Sequence, residues 1–189
     1  LLGKKETSNR EGILLFLALS SIAVYGVMLA GWSSGSKYPL LGSVRATAQM
    51  VSYEAALGLS VATVVLLTGS LSTNAIVDAQ AATTSFLGFE VPSWNLWTAG
   101  VVPFVVFVLA GTAELNRPPF DLVEAEQEIV GGFHTEYSSI RFALFFLAEF
   151  MNVITMSAII VTLFLGGPAG PTLFGPDLMW GPIWFFAKV

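Results

Sequence analysis

The amino-acid sequence predicts an all-α, polytopic helical membrane protein. Three observations predict it: 54% of the 189 residues are hydrophobic, only 11% are charged, and the mean hydropathy is +0.75. A soluble domain carries about 25% charged residues, so less than half the usual complement is present. That deficit excludes a disordered chain and an ordinary cytosolic enzyme. The net charge of −5 excludes a nucleic-acid binder, because a basic face for phosphates is missing. Cysteine is absent and His134 is the only histidine. Disulfides, thiolate-held iron–sulfur clusters, c-type haem attachment and an ordinary zinc site built from this chain alone are therefore excluded.

Four stretches are long enough to cross a bilayer core, which takes about 20 apolar residues of helix. The first covers residues 13–32 and carries no charge. The second, 48–71, contains one carboxylate, Glu54; the third, 94–113, is uncharged; the fourth, 142–166, contains Glu149. Helices satisfy every backbone N–H and C=O in hydrocarbon, and the alternation of a membrane barrel is absent. Residues 167–182 read as a Gly/Pro linker, and 183–189 as the start of a fifth span. The chain starts at Leu1 and its last apolar run stops in mid-segment. A single membrane domain, internal to a longer chain, is expected. The first apolar run is too long for the h-region of a signal peptide.

Lys/Arg asymmetry in the short loops gives the orientation. Loops 33–47 and 114–141 lie on one side and hold Lys37, Arg45, Arg117 and Arg141, whereas 72–93 lies opposite and holds no basic residue. The first two are expected in the cytoplasm, although Lys4, Lys5 and Arg10 argue the other way. Trp32, Trp94, Trp97, Trp180 and Trp184 fall near the expected helix ends, as an interfacial aromatic belt requires.

The 114–141 segment concentrates six acids: Glu114, Asp121, Glu124, Glu126, Glu128 and Glu136. Pro118 and Pro119 should stop the preceding helix. Asp121 stands at an N-cap position, and Gly131–Gly132 should end a short helix with Leu122, Ala125 and Ile129 on one face. Glu124 and Glu128 stand four apart, a spacing at which like charges destabilise a helix by a few tenths of a kcal/mol. The segment is either a solvated acidic face or a proton-collecting surface, since carboxylates crowded near low dielectric can take up protons near neutral pH.

Glu54 and Glu149 stand inside spans, where a charge costs at least about 2.5 kcal/mol. Asn152 lies three residues after Glu149 on the same face and can hydrogen-bond it. Glu54 has Tyr53 beside it and Arg45 nine residues earlier, and Gln49 and Ser52 give its helix a hydrated or protein-facing side. Each acid either glues helices as a neutral carboxylic acid or belongs to a proton or cation route. Arg141 reads as a positive-inside flanking residue. Arg117, followed by two prolines, reads as a partner for a loop carboxylate or a neighbouring protein.

The stretch AELNRPPFDLVEAEQEIVGGFHTEYSSIRFALFFLAE, residues 113–149, resembles the signature of the H subunits of proton-pumping NADH:quinone oxidoreductase, respiratory complex I. So do Tyr25-Gly26 to Gly31-Trp32, Ser36-Lys37-Tyr38 with Leu41-Gly42, and Arg45 with Ala48-Gln49 and Ser52-Tyr53-Glu54. Val123 stands where the family often has proline. The resemblance implies a subunit at the junction of the peripheral and membrane arms, forming part of the quinone-access tunnel. Glu114, Arg117, Asp121, Glu124, Glu126, Glu128 and Glu136 would line the tunnel's acidic loop, and Glu54 and Glu149 would start a proton path. Quinone would be the substrate, with no cofactor bound by this chain; FMN, NADH and iron–sulfur clusters would belong to partner subunits. Those partners would be the peripheral quinone-site and terminal iron–sulfur subunits, and small membrane subunits leading to antiporter-like ones. The implied location is a bacterial plasma (inner) membrane. The alternative is the related membrane subunit of an energy-converting hydrogenase or of an F420H2- or ferredoxin-driven oxidoreductase. A secondary transporter would need broken helices or repeats, and a purely structural anchor would not need Glu54 or Glu149.

Overall fold

The computed structural model describes residues 11–86, 89–120, 137–170 and 177–189, with the side chains of 83–91 and 177–179 outside that description. Helix α1 is Gly12–Ser33 and α2 is Lys37–Thr68; α3 is Thr73–Gln80. A hairpin comes next, β1 Thr83–Phe86 and β2 Phe89–Pro92, then α4 Asn95–Thr98, α5 Val101–Glu114, α6 Ser139–Phe164 and α7 Asp177–Lys188. The protein is a helical, polytopic membrane protein. Helices α1, α2 and α6 are long and apolar enough to span. They also display large apolar side chains outward: Leu66 is 83% exposed, Leu59 72% and Ile140 73%. In water such exposure would be a liability; in hydrocarbon it is the expected face of a span.

Several elements differ from the sequence expectation, each for a physical reason. Helix α2 begins at Lys37 instead of residue 48, because hydropathy detects the buried part of a helix and not the polar turns that extend it. Its 32 residues reach about 48 Å at 1.5 Å per residue, beyond a core of about 30 Å. Pro39 sits in its first turn, where a missing N–H breaks no helical bond. The third apolar stretch is interrupted at Gly100, whose φ of +94° no helix can use. The helix beyond that break, α5, has only 14 residues, about 21 Å. The 72–93 connection is not featureless: it contains α3 and the antiparallel hairpin, with Thr83 opposite Pro92 and Phe86 opposite Phe89. Helix α7 starts at Asp177, inside the expected linker, and continues through Pro182. One proline removes one hydrogen bond without ending the helix.

The described residues form two compact units. One comprises residues up to Phe16, Leu59–Phe107 and Ile154–Val189. At its centre Phe164 meets Phe104 and Phe107, each at 5.5 Å between ring centroids. Its polar knot is the fully buried Gln80. The Gln80 Nε2 donates to the carbonyls of Thr162 (3.0 Å) and Ile76 (3.2 Å), and its Oε1 accepts from the backbone N–H of Asn95 (3.1 Å) and Gly166 (3.0 Å). Asn95 Nδ2 donates to Leu163 O at 2.7 Å. The last carbonyls of α6 have no intrahelical partner; these amides supply one. Lys188 adds a cation at the same helix end, donating to the carbonyls of Leu165, Gly167 and Ala169 at 2.8, 3.1 and 2.7 Å. That is the helix end where positive charge is favoured.

The other unit is Leu17–Gly58 with Val108–Val153. Within it α1 and α2 meet at Gly31. A Cβ added there would stand 2.1 Å from Ser43 Oγ and 2.7 Å from Pro39 O, so the two backbones approach as only glycine permits.

Candidate functional site

The carboxylates of the second unit are organised by adjacent residues of α1. Ser20 Oγ donates to Glu114 Oε1, and Ser21 Oγ donates to Glu54 Oε1. Neighbours on a helix point about 100° apart, so one turn of α1 reaches both α2 and the end of α5. Glu114 is 5% exposed, and its Oε2 has no partner among the described residues. Glu54 itself is half-buried. Glu114 is thus the last residue of α5, a buried acid instead of the first residue of an exposed loop.

The helix that carries Glu114 ends in a local motif. Asn116 has a φ of +50°, its N–H bonds Ala113 O at 3.3 Å, and the Arg117 N–H bonds Thr112 O at 3.2 Å. That pair of bonds closes a helix end with its turn residue left-handed, and Asn tolerates the conformation better than most side chains. The helix stops before Pro118 and Pro119 are reached. Gln49 of α2 secures the bend, its Nε2 lying 2.8 Å from Ala113 O and 3.1 Å from both Asn116 Oδ1 and Phe120 O. Tyr53 packs edge-on against Phe120 at 5.3 Å.

Leaving the bend, Arg117 pairs with Glu149 of α6 at 2.9 Å and lies 5.3 Å over the Phe150 ring. Its partner is therefore a span carboxylate, not a described loop acid. Asn152 sits half-buried one turn further along α6. Arg45 is half-buried on α2 and Arg141 is exposed near the start of α6. On the far side of the acidic segment, Tyr137 donates to Ala30 O at 2.8 Å and lies 2.9 Å from Ser33 Oγ, its ring 4.9 Å from Phe145. Asp121, Glu124, Glu126, Glu128, His134 and Glu136 lie outside the described residues.

Removing one member of a buried ion pair costs about 3–5 kcal/mol, whereas an exposed pair contributes about 0–1 kcal/mol. The side chains of Arg117 and Glu149 are 37% and 19% exposed, which puts this pair near about 1–2 kcal/mol. Arg117→Met should lower the melting temperature of the solubilised protein, and adding Glu149→Gln should restore part of the loss. Strict additivity of the two changes would show that the pair is not coupled.

A sequence profile described as NADH dehydrogenase matches residues 4–189. The chain belongs to the NADH dehydrogenase family. A Frankia alni protein, named as the H subunit of NADH-quinone oxidoreductase, is 52% identical over 182 residues, 94% of this chain and 38% of that protein. Proteins of the same name are 52% identical in Leptospira biflexa, covering 87% of this chain and 44% of the relative, and 50% identical in Ralstonia pickettii, covering 94% and 51%. The chain spans about half or less of the length of these relatives.

For this member of the NADH dehydrogenase family, the described site joins Glu54, Glu114, Arg117, Tyr53 and Glu149 in one unit. Sequence reasoning missed Ser20 and Ser21 as partners of the acids, and Tyr137 as a clamp on α1. A Ser-Ser pair in an otherwise charge-free span was the available signal. Small hydroxyls are common enough in membrane helices that the pair did not stand out.

Proposed function

We propose that this chain is part of the membrane subunit of a proton-translocating NADH:quinone oxidoreductase. It forms part of the quinone-access tunnel and couples quinone reduction to proton movement through buried carboxylates. The observation that carries the reading is the placement of Glu54 and Glu114 on adjacent α1 serines, in the unit where Glu149 is held by Arg117. Acids inside apolar helices are costly and serve ion or proton routes by default. Quinone is the substrate, and this chain supplies no redox centre. Electrons reach the quinone from NADH through FMN and iron–sulfur clusters of partner subunits, the last of them in the peripheral arm. Small membrane subunits on the other side lead to antiporter-like ones. The membrane is the bacterial plasma (inner) membrane, with the acidic segment cytoplasmic.

In this reading Asp121, Glu124, Glu126, Glu128 and Glu136 gather protons beside the tunnel. Quinone reduction changes the charge felt by that segment and by the Arg117–Glu149 pair. An ion pair in a poorly screened setting responds strongly to a nearby change of charge. A proton drawn to Glu149 frees Arg117, and protons then pass inward by way of Glu149, Glu114 and Glu54. Arg45 and Arg141 supply positive charge along α2 and at the start of α6.

Glu149→Gln and Glu54→Gln keep the side-chain volume and remove the exchangeable charge. In the assembled complex each should lower coupled quinone reduction at least about tenfold, with subunit assembly and NADH oxidation by a water-soluble acceptor retained. Full, inhibitor-sensitive, coupled activity in both variants would overturn the reading.

A further inference from the structure

The hydroxyl of Ser21 has more acceptors than hydrogens. It lies within hydrogen-bonding reach of Glu54 Oε1, and at 3.0 Å from the backbone carbonyl of Leu17, one turn earlier on α1. A serine hydroxyl carries one hydrogen and accepts through its lone pairs, so it cannot serve both acceptors at once. Two arrangements satisfy every group. With Glu54 ionised, the serine hydrogen points to the carboxylate. With Glu54 protonated, the acid O–H donates to Ser21 Oγ, and the serine hydrogen turns to Leu17 O.

A hydroxyl at this position solvates both protonation states of its neighbour without leaving a polar group unpaired. In a helix that is apolar all round, an unpaired group of this kind costs about 1–3 kcal/mol. Among the described residues the neighbouring Ser20 donates to Glu114 Oε1 and so orients that carboxylate. Apart from its serines and Tyr25, α1 is a run of apolar residues and glycines.

We propose that Ser21 is a two-position hydrogen-bond switch that lets Glu54 gain and lose a proton inside the bundle, while Ser20 fixes the facing oxygen of Glu114. The serine gains and loses no atom in the switch, and the one proton that comes and goes is carried by Glu54. The proton arriving on Glu54 Oε1 forms one O–H bond, the serine keeps its own hydrogen, and only the direction of two hydrogen bonds reverses. Ser20 and Ser21 are positioning residues, acting through the two acids. The inference rests on the proposed function, and the test separates the two.

Ser21→Ala removes the switch, Ser21→Thr keeps the hydroxyl, and Glu54→Gln reports on the acid itself. Each is made in the full-length chain and measured in the assembled complex in proteoliposomes. Readouts are quinone reduction, proton translocation and NADH oxidation by a water-soluble acceptor. Ser21→Ala should lower proton-coupled quinone reduction up to about tenfold, the rate equivalent of one lost hydrogen bond. Ser21→Thr should recover most of it, and Ser20→Ala should produce a smaller loss than Ser21→Ala.

Wild-type coupling in Ser21→Ala beside an impaired Glu54→Gln would overturn the switch and leave the proton route standing. Equal losses in the Ala and Thr variants of fully assembled complex would also overturn it, since a hydroxyl would then be irrelevant. Wild-type coupling in Glu54→Gln and Ser21→Ala together would remove the route and the switch at once.

Discussion

Gln80→Leu should prevent stable accumulation of the protein in the membrane. Leucine is close in volume, but the amide of Gln80 serves partners from two distant stretches of chain: Thr162 O and the Gly166 N–H at the end of α6, and the Asn95 N–H. Each becomes a buried polar group without its partner, at about 1–3 kcal/mol apiece. The sum, roughly 3–9 kcal/mol, is a large part of the 5–15 kcal/mol that stabilises a typical domain. Loss of the Asn95 contact should also weaken the bond from its side chain to Leu163 O, so the damage spreads along the end of α6. Immunoblots of membranes and limited proteolysis check the result; a normal amount of protease-resistant protein would contradict it.

Gly31→Ala should be nearly as damaging, through sterics alone. The added methyl would overlap Ser43 Oγ and Pro39 O, and neither can retreat. The Ser43 hydroxyl is bonded to Leu40 O at 2.8 Å, Pro39 O is backbone, and both residues are fully buried. Helices α1 and α2 would have to separate. Overpacking of this kind costs about 1–3 kcal/mol or more. The same separation would pull Ser20 and Ser21 away from their acids, so surviving complex should show reduced coupling as well. Combining Gly31→Ala with Ser43→Gly removes the overlap with Ser43 but leaves that with Pro39 O, so it should return only part of the yield; no gain at all would place the clash elsewhere.

Much of this architecture was legible in the sequence because hydrocarbon imposes simple demands. Charge-free runs had to be helices, and Glu54 and Glu149 stood out as the carboxylates within them. The part that stayed hidden was chemistry without charge. Gln80 sits in a polar stretch that reads as a loop and Asn95 at the start of the third apolar stretch, and an amide gives no hint in one dimension that it will knot four backbone groups. The polar first turns of α2 were hidden for the opposite reason: Lys37 and Arg45 lower the hydropathy without opposing helix formation. Glu114 was grouped with the acids that come after it because proximity in sequence was the only guide. The left-handed Asn116 ends α5 and leaves Glu114 facing α1, a three-dimensional fact written in one residue's tolerance for an unusual φ. Arg117 was recognised as an ion-pair former, but its partner on α6 lies 32 positions away, beyond the reach of local spacing.

The bend after α5 also constrains how this region can change over time. It seats Glu114 against one helix and, three positions on, Arg117 against another, with Gln49 bonded to the carbonyls of Ala113 and Phe120 on either side of them. An inserted or deleted residue there would displace one of the two by about 3.8 Å, the spacing of consecutive Cα atoms, which is enough to break either contact. Side chains at the corner can drift, but its length is locked to the distance separating two charges.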